Sequence, residues 1–302
     1  MGKGPISHYH VVTQLNASVP ELDGADIACF RALLDRVSGF CGVAVRAFCV
    51  EPDQVQMLVA VGSGGDLTDR DLIERARKIY PKRAQRGVIS QEWVEAALAE
   101  GGEVREAMRA HIGGRMASLS MFMKILKQRF ALFYNRTHGR YGTIWAEIYR
   151  STLVENAPRP LATVAAYIDL RPVRVRLVDD PVDYPFSSLG ETWNASGSLE
   201  GHPVFEVYLK SERLHRAEME ETYRHHTLIG APGEAATKKK AAVQEGLQEG
   251  EILTLPKSGI IGSPAFVEEW IREHKEMYFP KHTKRPKKIP GEDRDDGVHS
   301  LR

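Results

Sequence analysis

Two β-type runs, Val43 to Val50 and Gln54 to Val61, flank the turn-forming triplet Glu51-Pro52-Asp53. A turn that short forces the runs to pair side by side in opposite directions. Upstream, His8 to Leu15 is a third run, ended by Asn16 and then Pro20. Between them, Asp23 and Asp26 offer N-caps for a helix near 25–38, with Ile27, Phe30, Leu33, Leu34 and Val37 at helical spacing and Gly39 and Gly42 as stops. A β-α-β-β start with a tight hairpin predicts an antiparallel sheet with helices packed on it, an α+β fold.

Residues 67–112 read as helical but irregular, broken at Tyr80-Pro81. Met116 to Tyr134 is the clearest amphipathic helix. Leu119, Phe122, Met123, Leu126, Phe130 and Phe133 form its core stripe, leaving Lys124, Lys127, Gln128 and Arg129 to face outward. Residues 135–142 are a polar, glycine-containing loop. Trp145 to Leu153 reads as a strand, and Pro160 opens a helix through Leu170 that Pro172 ends. Past Trp193 the composition shifts. Gly197 to Gly201 resembles a linker, 203–226 looks helical and polar, Thr237 to Gln248 is rich in Lys, Gln and Glu, and Ser263 to Tyr278 is a capped helix. The expected division is a domain at 1–195 and a mostly helical, basic C-terminal extension at 196–302 with a disordered tail.

Cys29, Cys41 and Cys49 are odd in number and form no CxxC pair, against a disulfide framework or a thiolate zinc site and for a cytoplasmic home. No uncharged apolar run reaches the ~18 residues of a membrane span, and the N-terminus has no signal-peptide core. Charge is informative by distribution. The whole chain carries +1, yet Arg105 to Arg150 holds nine Lys or Arg against two Glu, and Lys281 to Lys288 adds five more without an acid. Such patches attract phosphate backbones, although a solvated helix face has the same composition.

Common catalytic signatures are missing. Gly62-Ser63-Gly64-Gly65 lacks the Lys-Ser/Thr of a phosphate loop, no G-x-S-x-G is present, and His8/His10 and His225/His226 lack partners at diagnostic spacing. Two groupings remain. Gln54, Gln56 and Leu58 share one strand face, and Tyr167 and Arg171 lie one helical turn apart. A helix packed on that sheet face would bring a tyrosine, a guanidinium and two amides together. Taken singly, Tyr167 reads as a packed core tyrosine and the glutamines as a solvated strand face.

Four segments, HYHVVTQ, FCGVAVRAFCVEPDQVQMLV, FMKILKQRFALFYNRTHGRYGTIWAEIYRSTLVE and AAYIDLRPVRVRLVDDPVDYPFSS, occur in an order that resembles the REP-associated tyrosine transposases, a branch of the single-tyrosine transposases of the HUH endonuclease superfamily. The resemblance spans about residues 8–192, and SGIIGSPAFVEEWIREH is similar to the accessory region of longer members. It implies a ferredoxin-like sheet that binds hairpin or single-stranded repeat-end DNA. It also implies a helix tyrosine that attacks a DNA phosphate, with a divalent cation held by a histidine–hydrophobe–histidine strand motif and a polar residue one turn after the tyrosine.

The tyrosine position is kept as Tyr167, whereas the ligand positions hold Gln54, Gln56 and Arg171, and Ile148 stands where relatives carry an arginine. An amide oxygen is a poor replacement for imidazole, and a guanidinium has no acceptor at all. Arg171 either places a fixed charge where the cation sat and holds a phosphate, or points to solvent. The reading is therefore a transposase-family DNA binder impaired in metal-dependent cleavage, with no cofactor, or Mg or Mn only if cleavage survives. Lys124, Lys127, Arg129, Arg136, Arg140, Arg150 and Arg174 are the candidate phosphate contacts and Tyr141 the candidate base-stacking residue. An active tyrosine transposase and a ferredoxin-like RNA-binding or protein-interaction module are the alternatives. No membrane partner is expected, and the resemblance leaves room for a homodimer that no residue pattern here specifies.

Overall fold

The structure, a computed structural model, describes residues 6–83, 88–206, 223, 259–278, 287–288 and 298–301. In chain order these form β1 (Ser7–Gln14), α1 (Gly24–Cys41), β2 (Val43–Val50), β3 (Gln54–Val61), α2 (Asp69–Ile79), α3 (Gln91–Glu100), α4 (Gly102–Gly113), α5 (Leu119–Thr137), β4 (Arg150–Val154), α6 (Pro158–Asp169), α7 (Arg171–Arg174), a 3-10 turn at Pro181–Asp183, α8 (Ser188–Ser196), α9 (Pro203–Glu206), β5 (Gly259–Gly262), α10 (Pro264–Tyr278), β6 (Lys287–Lys288) and β7 (His299–Leu301). The fold is α+β. Two compact units divide it: a helical one of Met1–Ile6, Leu15–Ala44 and Ala60–Ala146, and a sheet unit of Ser7–Gln14, Val45–Val59 and Glu147–Arg302. No helix among the described residues is long and apolar enough to cross a membrane.

The helical unit is built from well-capped helices. Asp23 and Asp26 form a reciprocal capping box on α1, and Gly42 at φ 67° closes it in the left-handed region that glycine adopts without strain. Ser118 caps α5, so this helix starts at Leu119, three residues after the expected start. The expected core stripe of α5 is buried through Phe122, Met123, Leu126 and Phe130, with Phe30 of α1 edge-on to Phe130 at 5.0 Å. The irregular stretch 67–112 resolves into α2, α3 and α4, pinned together by Arg105 and Arg109 on the Asp69 carboxylate.

The sheet runs β2-β3-β1-β4-β5-β7-β6. Its first four strands have the ferredoxin-like order, with β1 antiparallel to β4 (His8 opposite Val154, Val12 opposite Arg150). The expectation of a purely antiparallel sheet fails at β4 and β5, which pair in parallel. That pairing is possible because α6 and a long further stretch of chain separate the two strands. Where it is described, the C-terminal region holds α9 and α10, as expected, and strands as well. It adds β5, β6 and β7 to the sheet, and His299–Leu301, expected within a disordered tail, pairs with β5.

Three boundaries also move. β4 begins at Arg150, because Trp145 instead makes an isolated bridge to Leu15. Pro172 does not end α6, which stops at Asp169; it sits in the first turn of α7, where its missing N–H costs nothing. Gly197 to Gly201 is a turn rather than a linker, since Leu199 is buried within it and His202 just after it. The helix expected at Ser263 is present, with Ser263 Oγ accepting from the Phe266 N–H. Thr237 to Gln248 and Lys281 to Arg285 lie outside the described residues, as do most of 203–226.

Candidate functional site

The hairpin sets the floor of the site. Glu51 N–H donates to the Gln54 carbonyl at 2.8 Å, and side-chain alternation then aims Gln54, Gln56 and Leu58 at one face. Helix α6 packs there, its Leu161, Ala165 and Ile168 sharing a buried cluster with Ala47, Cys49 and Leu58. This burial explains why the glutamines, read singly as a solvated face, are 8% and 3% exposed. Tyr167, half-buried on α6, meets the ring of His10 edge-on at 5.7 Å, and His10 Nε2 donates to Gln56 Oε1 at 3.0 Å. His10 of β1 thus bridges Tyr167 of α6 and Gln56 of β3.

Arg171 does not point to solvent. Its Nε and Nη2 donate to the two Glu51 carboxylate oxygens at 2.7 and 2.9 Å, a bidentate pair in which the Glu51 side chain is 2% exposed. The guanidinium therefore answers a buried carboxylate rather than solvent. Arg174, one turn further, places its guanidinium 4.1 Å from the Tyr167 ring centroid, and its Nη2 is buried without an acceptor. Burial lowers the Arg174 pKa to about 10, so it remains a cation at neutral pH. Two guanidinium ions against one carboxylate leave one uncompensated positive charge beside Tyr167.

Burial also depresses both β1 histidines. His10 falls to about 4, mainly by desolvation, with the Gln56 hydrogen bond opposing and Arg174 reinforcing the shift. His8 falls to about 4 by burial and the Arg46 charge, and neither of its ring nitrogens has a hydrogen-bond partner. Both rings are neutral at pH 7.

Two of the three positions that the family resemblance assigns to a divalent cation do not fit one. Gln56 Oε1 is committed to His10, Arg171 carries no acceptor, and a guanidinium within a few ångströms repels a cation by several kcal/mol even at an effective dielectric of about 20. Among the described residues no three His, Cys, Asp or Glu side chains cluster as metal ligands.

Behind the site, Asp169 is fully buried and accepts from Ser188 Oγ (2.8 Å), the Leu189 N–H (3.0 Å), His202 Nε2 (3.1 Å) and Tyr223 Oη (2.6 Å). Four donors on one carboxylate tie α6 to α8 and to the turn before α9. Pattern reasoning missed Asp169, His10 and Glu51. The period-two spacing of His8 and His10 was the one available signal, whereas Glu51 was hidden as an ordinary turn residue.

The remaining expected contacts divide between the units. In the helical unit Lys124 and Arg136 are exposed and Arg129 is half-buried, whereas Lys127 is 9% exposed with its ammonium 5.0 Å from the Trp145 ring centroid. Lys127 is thus a covered cation rather than an outward one, because its helix position falls beside the core stripe. The loop expected from residue 135 begins only after Thr137, the end of α5; Tyr141 is 96% exposed in it, and Asn135 Nδ2, in the last turn of the helix, donates to the Gly142 carbonyl at 2.8 Å. Half-buried Arg140 stands next to Tyr141. In the sheet unit Arg150 bonds Gln14 Oε1 and pairs with Glu147.

No family model matches the chain, and no curated protein matches it. A solved structure described as a REP-associated tyrosine transposase bound to a REP hairpin aligns over 63% of this chain and 81% of its own length, at 15% identity and a TM-score of 0.37.

Proposed function

We propose that this chain is a transposase-lineage DNA-binding protein that recognises hairpin or single-stranded repeat DNA and is impaired in metal-dependent strand cleavage. The observation that carries the reading is the convergence of Tyr167, His10, Gln56 and Arg174. They come from β1, β3 and the α6–α7 segment, fall in the segments that resemble the transposases, and are linked through His10 and Arg174 to the one tyrosine that the resemblance assigns as nucleophile. The impairment follows from the donor set: an amide already hydrogen-bonded and a guanidinium already ion-paired stand at the ligand positions.

In this reading Tyr167 occupies the position from which a phenol oxygen would attack phosphorus, but it lacks the cation that would polarise the phosphate. The exposed Lys124 and Arg136, with Arg129, Arg140 and the projecting Tyr141, contact backbone and bases in the manner of single-strand binders. The protein acts on DNA in the cytoplasm.

The test is incubation of the full chain with labelled single-stranded hairpin DNA in Mg²⁺, Mn²⁺ or EDTA, resolved on native and denaturing gels. A native complex with no covalent band under any condition is expected. A covalent band that disappears in Tyr167→Phe would overturn the impairment, and absence of any complex would overturn the DNA-binding role.

A further inference from the structure

We infer that Arg174 forms a metal-independent subsite for one phosphodiester group beside Tyr167, a proposal that deepens the DNA-binding reading above and rests on it for the identity of the ligand. A buried donor without an acceptor costs about 1–3 kcal/mol, more for a charged group, and calls for a physical explanation. Arg174 Nη2 is such a donor. The nearby carboxylate, Glu51, already receives two hydrogen bonds from Arg171. The neighbouring ring nitrogens offer no negative charge either, because His10 is neutral and its Nε2 donates to Gln56.

The chemistry of the ligand follows from the charges. Arg171, Arg174 and Glu51 together leave a single positive charge, which one phosphodiester monoanion neutralises and a phosphomonoester dianion would exceed. A planar guanidinium also presents paired donors to two phosphate oxygens, a geometry that an ammonium cannot copy. Its Cζ lies 4.1 Å from the Tyr167 ring centroid and the side chain also hydrogen-bonds Tyr167, which holds the guanidinium in place while Nη2 stays unfilled. Arg174 is thus a positioning residue. It stands beside the tyrosine and, in place of a cation, supplies the charge that holds the phosphate there.

The experiment uses the full chain in EDTA with two probes, the phosphodiester dimethyl phosphate followed by calorimetry and the labelled hairpin followed by anisotropy across a KCl series. Wild type is expected to bind both probes in EDTA, with no gain on adding Mg²⁺. Arg174→Ala should abolish the phosphate heat, weaken hairpin binding about tenfold, and reduce the salt slope by about one phosphate contact. Arg174→Lys, which keeps the charge but not the fork, should recover part of the affinity. The lysine variant guards against an alanine variant that does not fold.

Phosphate binding that is absent from wild type in EDTA, or unchanged in Arg174→Ala, overturns the subsite. Hairpin binding with an unchanged salt slope in Arg174→Ala overturns it as well, while leaving the DNA-binding reading in place. Arg174-dependent phosphate binding without any hairpin complex has the reverse meaning: the subsite stands and the DNA-binding reading falls.

Discussion

Arg171 and Arg174 lie one turn apart on α7, and their surroundings make them different chemical groups. Arg171 is held by a buried carboxylate, whereas Arg174 is stacked on a ring with a donor unfilled. Removing Arg171 would leave Glu51 as an uncompensated buried charge, so its loss would act on stability before it acted on any ligand. His8 is the second residue whose role burial dictates. Its folded pKa near 4 lies below the ordinary 6.5, as does that of His10, so between these values the unfolded chain binds protons that the native chain refuses. The histidine contribution to stability should therefore fall as pH drops from 6.5 to 4 and level off below. Each histidine contributes on the order of 2–3 kcal/mol to that fall. Because neither ring nitrogen of His8 is bonded, His8→Leu should cost less than about 1 kcal/mol at pH 7 and roughly halve the histidine part of the acid loss. Urea titrations of both proteins at pH 7, 5 and 4 check this, and an undiminished slope in the variant would refute it.

Among the elements, α6 carries the site on one side and is anchored on the other. Tyr167 faces His10 on β1, while Asp169, two residues later, points away and gathers donors from Ser188, Leu189, His202 and Tyr223. A helix with both ends of its last turn held in this way presents Tyr167 and the following arginines in a fixed direction. The start of α8 is held as tightly. A Cβ at Gly190 would fall 1.8 Å from the Tyr184 carbonyl oxygen, which itself accepts from Ser187 Oγ, and Tyr184 Oη donates to the Val50 carbonyl at 2.7 Å. Gly190→Ala must push the 184–188 segment off the β2 edge, because a backbone oxygen cannot rotate aside as a side chain does. A loss of about 2–4 kcal/mol is expected by chemical denaturation. A variant within 0.5 kcal/mol of wild type would show that this segment is not seated as described.

Over the whole molecule, the sheet is completed by residues far from the site in sequence. Strand β5 pairs with β4, β7 pairs with β5, and Ile261 and Val298 belong to the same buried cluster as Leu161 of α6. Truncation after residue 258 should uncover the β4 edge and part of that cluster, giving a less stable protein that self-associates, read by light scattering on a sizing column. A truncated chain that stays monomeric with an unchanged melting temperature would contradict this. Local pattern was enough for the elements that form by short-range rules. The Asp23/Asp26 cap, the hairpin around Glu51-Pro52-Asp53, the core stripe of α5 and the shared face of Gln54 and Gln56 are all written in neighbours a few residues apart. Residue chemistry likewise marked Gln56 and Arg171 as unsuited to a cation before any contact was known. What the chain could not announce was which distant groups would meet. Glu51 claims Arg171, His10 claims Gln56, Arg174 is left with an empty donor, and the C-terminal strands join the sheet. Each of these is settled by packing across many residues, where burial decides which charges must find a partner and which are left without one.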